Sequence, residues 1–296
     1  MRKNYLLTPG PTPLPPLVCE ALSRPIIHHR TPQFQEILKE ATVGLKYVFQ
    51  TENDVFIFAS SGTGAMEAAV VNLLSPGDTV ITVEGGKFGE RWTEICKSYS
   101  VDAQAIKVEW SKAVEPKEIE KALKANPRIK AVFTTLCETS TGVTNDIEAI
   151  GRIVKDYPAV LVVDAISGLG AIELKTDAWS VDVCVSGSQK GLMLPPGLGF
   201  ISVSKKAWEK IRESRCPKYY FDLNKAKKAI DKTDTPFTPA VSLIVALNES
   251  LRMIKQDGLD NVFARHRKMA EATRKAVKAM GLELFSPTAA SDVVTA

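Results

Sequence analysis

Cysteine is scarce and unpatterned in this chain of 296 residues: five in all (Cys19, Cys96, Cys137, Cys184, Cys216), an odd number with no C-x-x-C. That argues against a disulfide framework or a zinc centre and points to a reducing, cytoplasmic setting. Cys137 and Cys184 stand in apolar runs and are expected in the core. His28 and His29 are adjacent, a spacing unsuited to gripping one ion, so no metal is expected. No apolar stretch reaches the length of a membrane span, and "MRKNYLLTPGPTPLPP" lacks the apolar centre of a secretory signal. Charge of one sign is also thin. The net +4 is spread along the chain, and its one dense basic stretch, "NKAKKAIDK" at 224–232, has no interleaved aromatics. That is the pattern of a solvated face and gives no nucleic-acid footprint. Neither a Walker loop nor G-x-G-x-x-G occurs, so ordinary nucleotide folds are not indicated.

What the chain does have is alternation. Six short runs rich in Val, Ile and Phe (54–60, 78–83, 129–136, 159–165, 181–187 and 199–204) lack polar alternation, as strands buried on both faces do. Helical patterns at 64–74, 89–99, 116–125 and 146–157 lie between them, set off by turns such as "SPGD". The order predicts an α/β fold with a mostly parallel sheet between two layers of helices, and ligands beyond the carboxyl ends of the strands. Ahead of it, "TPGPTPLPP" is too rich in proline for a regular element and is expected to run extended over a surface. The helix at 31–50 opens with Thr31 as N-cap and Pro32 in its first turn. After residue 238 two long helices meet at Gly258, and "LELFSPTAASDVVTA" then reads as the start of a small-domain strand.

Three strand ends carry chemistry. "VFIFA" runs into "SSGTGAMEA", a small-residue turn opening a helix whose free N–H groups and positive dipole end suit an anion. Taken alone, such a turn serves equally as a tight connection. "LVVDAISGLG" ends an apolar strand on Asp164, a carboxylate that burial makes costly without a cation or donors; a helix N-cap or a magnesium ligand would also explain it. "VDVCVSGSQK" ends on Lys190, flanked by a turn and by the stiff "LPPG". A lysine in a partly desolvated pocket has a lowered pKa and can form a Schiff base with an aldehyde. Phosphate cradle, buried acid and lysine are together what pyridoxal phosphate needs.

These segments resemble the class V aminotransferases of pyridoxal-phosphate fold type I, in the alanine/serine–glyoxylate branch. The resemblance runs from "LLTPGPT" (6–12) to the last residue and takes in "ETSTGV" (138–143), "SGSQKGLMLPPGLGF" (186–200) and "TPFTPAVSL" (235–243). It implies a three-layer large domain with a mixed, mostly parallel sheet over 16–255. An extended segment over 1–15 would precede it, and 256–296 would begin a small C-terminal domain, incomplete here. It implies that Lys190 is the Schiff-base lysine and Asp164 the partner of the pyridine nitrogen. Ser61, Gly62 and Thr63 match the phosphate turn, aided by Gln189; Thr139 matches a residue near the ring oxygen; Phe88 matches the aromatic that stacks on the ring. Thr238 matches a residue reaching the phosphate of a neighbouring subunit, which implies a homodimer, whereas Thr235 replaces the tyrosine some relatives carry. The family's carboxylate-clamping arginine has no counterpart in this sequence; Arg30, in "HHR", is the arginine nearest the expected mouth, where a surface charge is the plainer reading. The activity implied is transfer of an amino group from alanine or serine to glyoxylate or pyruvate. Alternatives on the same scaffold are an aminoethylphosphonate–pyruvate aminotransferase, a desulfurase-type lyase, or a catalytically impaired cofactor-binding subunit.

Overall fold

A strand covered by helices on both faces meets no water, so its side chains are apolar in succession and its neighbours can run parallel. The computed structural model describes residues 6–296 and builds this arrangement. In chain order the elements are α1 (Pro16–Leu22), α2 (Pro32–Phe49), β1 (Asp54–Phe58), α3 (Gly62–Leu73), β2 (Thr79–Glu84), α4 (Lys87–Ser98), β3 (Asp102–Lys107) and α5 (Pro116–Ala125). There follow β4 (Ala131–Thr135), β5 (Cys137–Glu138), β6 (Val143–Thr144), α6 (Ile147–Val154), β7 (Val160–Asp164), β8 (Val183–Gly187) and β9 (Gly199–Val203). The last helices are α7 (Lys205–Glu213), α8 (Leu223–Ile230), α9 (Val241–Asp257) and α10 (Leu259–Ala279). The main sheet has seven strands in the order β1-β9-β8-β7-β4-β2-β3, and only β9 runs against its neighbours.

Each face of the sheet has its own core. On one side Phe34 and Leu38 of α2, Ile119 of α5, Ile147 of α6 and Leu247 of α9 are buried against it. On the other lie Met66 of α3, Trp92 of α4 and Ile211 of α7. The three expected layers are therefore present. Thr31 caps α2 by accepting from the Phe34 N–H, with Pro32 in the first turn, and α9 and α10 meet at Gly258. Cys137 and Cys184 are buried, as their apolar surroundings indicated.

Two segments, β3 and the one after α10, differ from the sequence reading. β3, "DAQAIK", is an edge strand with its charged ends in water, and a polar edge escapes any search for continuous apolar runs. The basic stretch at 224–232 is largely α8, which buries Leu223 and Ala226 and turns its lysines outward, a solvated face as its composition implied. The "LELFSPTAASDVVTA" segment forms no strand. It lies against the short β5–β6 hairpin, where the Ser291 N–H donates to Gly142 O (2.8 Å) and the Thr144 N–H to Ala289 O (2.9 Å). With only a two-residue strand to pair with, it makes a single bridge at Ala290. Residues 1–5 of the extended segment fall outside the described residues, and Pro9–Thr12 passes directly over the Lys190 turn.

Candidate active site

β4, β7 and β8 are adjacent parallel strands, so their carboxyl ends open on one side of the sheet. Asp164 is the last residue of β7, level with Thr135 of β4 and Val185 of β8. It is 4% exposed, and one carboxylate oxygen accepts the Ile166 N–H at 2.8 Å. Burial pushes its pKa up from 3.8 to about 7; the Ile166 hydrogen bond opposes the rise, Glu138 adds to it, and Arg91 and Lys190 oppose it. Such a carboxyl calls for a cationic or hydrogen-bond-donating partner.

Lys190 follows β8 by one tight turn. Ser188 stitches that turn: its N–H donates to Leu198 O (2.9 Å), and its hydroxyl donates to Pro195 O (2.6 Å) and accepts from the Leu198 N–H (3.1 Å). The stiffness suggested by "LPPG" is thus a hydrogen-bonded loop around one serine. From the far side the N-terminal segment clamps the lysine. The Thr12 N–H donates to Gln189 O (3.1 Å) and its hydroxyl to Lys190 O (3.2 Å). Gly10 leaves room for the side chain, since a Cβ there would lie 2.5 Å from Lys190 Cδ and 3.1 Å from Gln189 O. Burial lowers the amine's pKa, with Cys137 and Asp164 opposing, which favours the unprotonated nucleophile. Gly10→Ala is expected to leave the fold intact and to cut turnover roughly tenfold to a hundredfold by displacing the amine. Kinetics beside a thermal melt check this; full activity would show the close packing to be dispensable.

The anion cradle forms at the start of α3. Ser61 takes the N-cap position, but its hydroxyl does not cap the helix, so the Gly62 and Thr63 N–H groups stay open. Gly62 packs on Ile166, two residues beyond Asp164, which brings this helix end to the acid. Gln189 also faces it: its Oε1 is buried without a partner and lies on the Gly187 side, where Gly187 in turn approaches Gly62. Rotation of the amide would present its NH2 to an anion.

Phe88 sits in the first turn of α4, half-buried. Glu138, 1% exposed, fixes that turn by accepting the N–H groups of Phe88 (3.2 Å) and Gly89 (2.9 Å), as well as the Ser140 N–H (3.2 Å). A carboxylate at a helix N-terminus also meets the positive end of the dipole. Thr139 shares a hydrogen bond with Ser167, which joins the β5 end to the loop after Asp164.

Residues 4–295 match the aminotransferase class-V family. The chain belongs to that family. Among curated relatives, a soluble hydrogenase 42 kDa subunit of Anabaena cylindrica is 48% identical over 99% of this chain and 78% of its own length. The L-aspartate–glyoxylate aminotransferase of Paracoccus denitrificans is 40% identical over 99% of this chain and 76% of its own length. Among solved structures, ureidoglycine–glyoxylate aminotransferase from Bacillus subtilis superposes with a TM-score of 0.94 at 30% identity, covering 100% of this chain and 77% of that one. The fold is that of the fold type I aminotransferases, and the protein is a class-V aminotransferase that uses pyridoxal phosphate.

The residues of this aminotransferase fit the cofactor. An open helix N-terminus and an orphaned buried amide suit its phosphate, a carboxyl in want of a partner suits its ring nitrogen, and a lysine of lowered pKa suits its aldehyde. Thr238 stands apart. It is exposed on the loop before α9 and lines a separate cavity with Phe58 and Ala59. Arg30 pairs with Asp234 and donates to Thr235 O (3.0 Å), so it braces the loop that carries Thr238. A cavity of about 210 Å³ opens beside Lys190, lined by Pro9, Thr12, Ser167, Arg265 and His266. The Arg265 guanidinium on its rim is tied to Asp257 (2.6 Å). Among the described residues no three His, Cys, Asp or Glu side chains are grouped to hold a metal, and no helix is long and apolar enough to cross a membrane.

Proposed function

We propose that this aminotransferase transfers the amino group of alanine or serine to glyoxylate or pyruvate, with Lys190 as the residue that holds the cofactor aldehyde. The observation that carries the reading is the convergence of Lys190, Asp164 and the α3 N-terminus at the strand ends. Relatives named serine–glyoxylate aminotransferase and a neighbour named alanine–glyoxylate aminotransferase support the donors and the acceptor glyoxylate.

Bound there, pyridoxal phosphate supplies an aldehyde that exchanges amines and a ring that withdraws electrons from a substrate α-carbon. The first-turn N–H groups of α3, with Ser61, Thr63 and Gln189, would hold its phosphate. Asp164 would keep the ring nitrogen protonated, and Phe88 and Thr139 would position the ring. The Lys190 Nζ, with its lowered pKa, would take the proton from the substrate α-carbon and return it to the product.

Exposed Thr238 supports a homodimer in which this residue reaches the partner's phosphate, and the free cysteines favour a cytoplasmic setting. A domain boundary near residue 255 belongs to the same reading. The test offers L-alanine, L-serine, L-aspartate and 2-aminoethylphosphonate separately and follows the cofactor's absorbance. Conversion to the amine form by alanine or serine, reversed by glyoxylate or pyruvate, is expected. Conversion by aminoethylphosphonate alone would reassign the substrate, and no conversion by any donor would leave a cofactor-binding protein without this activity.

A further inference from the structure

Arg91 lies on α4 one turn after Phe88, half-buried. Its Nη1 donates to Thr63 Oγ1 at 3.3 Å, and its guanidinium carbon stands 4.8 Å from the centre of the Phe88 ring. Among the described residues no carboxylate pairs with it, whereas Arg30, Arg265 and Arg274 each face one. A guanidinium withdrawn from water without a counter-charge is unfavourable, and here it is aimed at the helix end where an anion is expected. The other groups proposed for that cradle, Ser61, Gly62, Thr63 and Gln189, are all uncharged. A phosphate ester carries between one and two negative charges at neutral pH, more than a helix dipole of about half a charge offsets. A planar guanidinium fork matches phosphate oxygens, and the hydroxyl and ring already restrict its orientation.

We propose that Arg91 supplies the cationic contact to the cofactor phosphate, oriented by Thr63 and the Phe88 ring. The inference rests on the reading of the site given above. Thr63 then acts twice, as part of the α3 turn and as an anchor for the guanidinium. The placement also brings the positive charge close enough to Asp164 to draw that carboxyl's pKa downward, so one side chain acts electrostatically on both ends of the site.

The experiment titrates cofactor-free protein with pyridoxal phosphate and, separately, with pyridoxal, which has the aldehyde and ring but no phosphate. Arg91→Gln is expected to weaken pyridoxal phosphate roughly tenfold to a hundredfold, the effect of one lost charge-assisted contact, while pyridoxal changes by less than about twofold. Arg91→Lys, which keeps the charge without the fork, is expected to fall between wild type and Arg91→Gln. Equal loss for both aldehydes would overturn the proposal and leave Arg91 as a support for Phe88. Unchanged affinity for pyridoxal phosphate would overturn it too. If Arg91→Gln does not fold, the same ratio measured on Arg91→Lys decides. Failure of the wild-type chain to bind pyridoxal phosphate would instead sink the site assignment on which the proposal stands.

Discussion

Lys190→Ala is expected to slow amino transfer by about ten-thousand-fold, the largest effect of any single change at this site. On the proposed assignment the loss is large because one atom would serve twice: Nζ would hold the cofactor aldehyde and would carry the α-carbon proton. Ser188, Thr12 and Gly10 hold the lysine in place, and alanine would leave no amine there. Cofactor affinity should fall far less, because the α3 N-terminus and Gln189 are untouched. Rapid mixing of the loaded enzyme with L-alanine or L-serine measures the first effect. Borohydride reduction followed by peptide mass spectrometry measures attachment, which should vanish from the peptide containing residue 190. Unchanged turnover would refute the assignment of this lysine.

Asp164→Asn should give the second largest effect, and it has two parts with opposite signs. In the cofactor-free protein the carboxyl holds its proton up to about pH 7, whereas an unfolded aspartate releases it near 3.8. The folded state therefore binds more protons than the unfolded state between those values, and stability falls as pH rises through the window. A shift of this size corresponds to about 4 kcal/mol, fully felt above pH 7 and absent below pH 4. Asparagine carries no such penalty. The stability gap between variant and wild type should thus widen in the variant's favour from pH 4 to pH 7, then level off. Denaturant unfolding across that range reads the gap, and a gap independent of pH would mean an ordinary carboxylate. With cofactor bound the order is expected to reverse. If Asp164 faces the cofactor's ring nitrogen as proposed, removing its charge would cost about 3 kcal/mol, a hundredfold or more in rate. A variant more stable when empty and much slower when loaded is a combination that a merely structural aspartate would not produce.

Asp164 and Lys190 were legible because each interrupts a pattern. An acid or a lysine at the end of an unbroken Val/Ile run is conspicuous, and the alternation of elements indicates which ends share a side of the sheet. Glu138 was not legible in this way. Its partners are backbone N–H groups of Phe88 and Gly89, some fifty residues earlier, and main-chain donors leave no mark on a sequence. Gly10 offered only the absence of a side chain, whose meaning depends on a lysine far along the chain. Arg91 carries no mark of its own in the sequence; only the fold sets it beside Thr63, with no carboxylate pairing with it among the described residues. The same limit explains β3 and the segment after α10. Edge strands need no apolar face, and a strand-like run becomes a strand only when another strand is there to pair with it.

The hydrogen bond from Thr12 to Lys190 spans 178 positions of the chain. During synthesis Thr12 emerges long before the turn it clamps, and it remains without that partner until residue 190 has been added. At about 5–20 residues per second this interval is on the order of ten to thirty seconds. The lysine's environment is therefore completed by an earlier part of the chain closing onto a later one. The sheet itself closes only when β9 follows the lysine, so the site gains its final shape late, from a segment that waited.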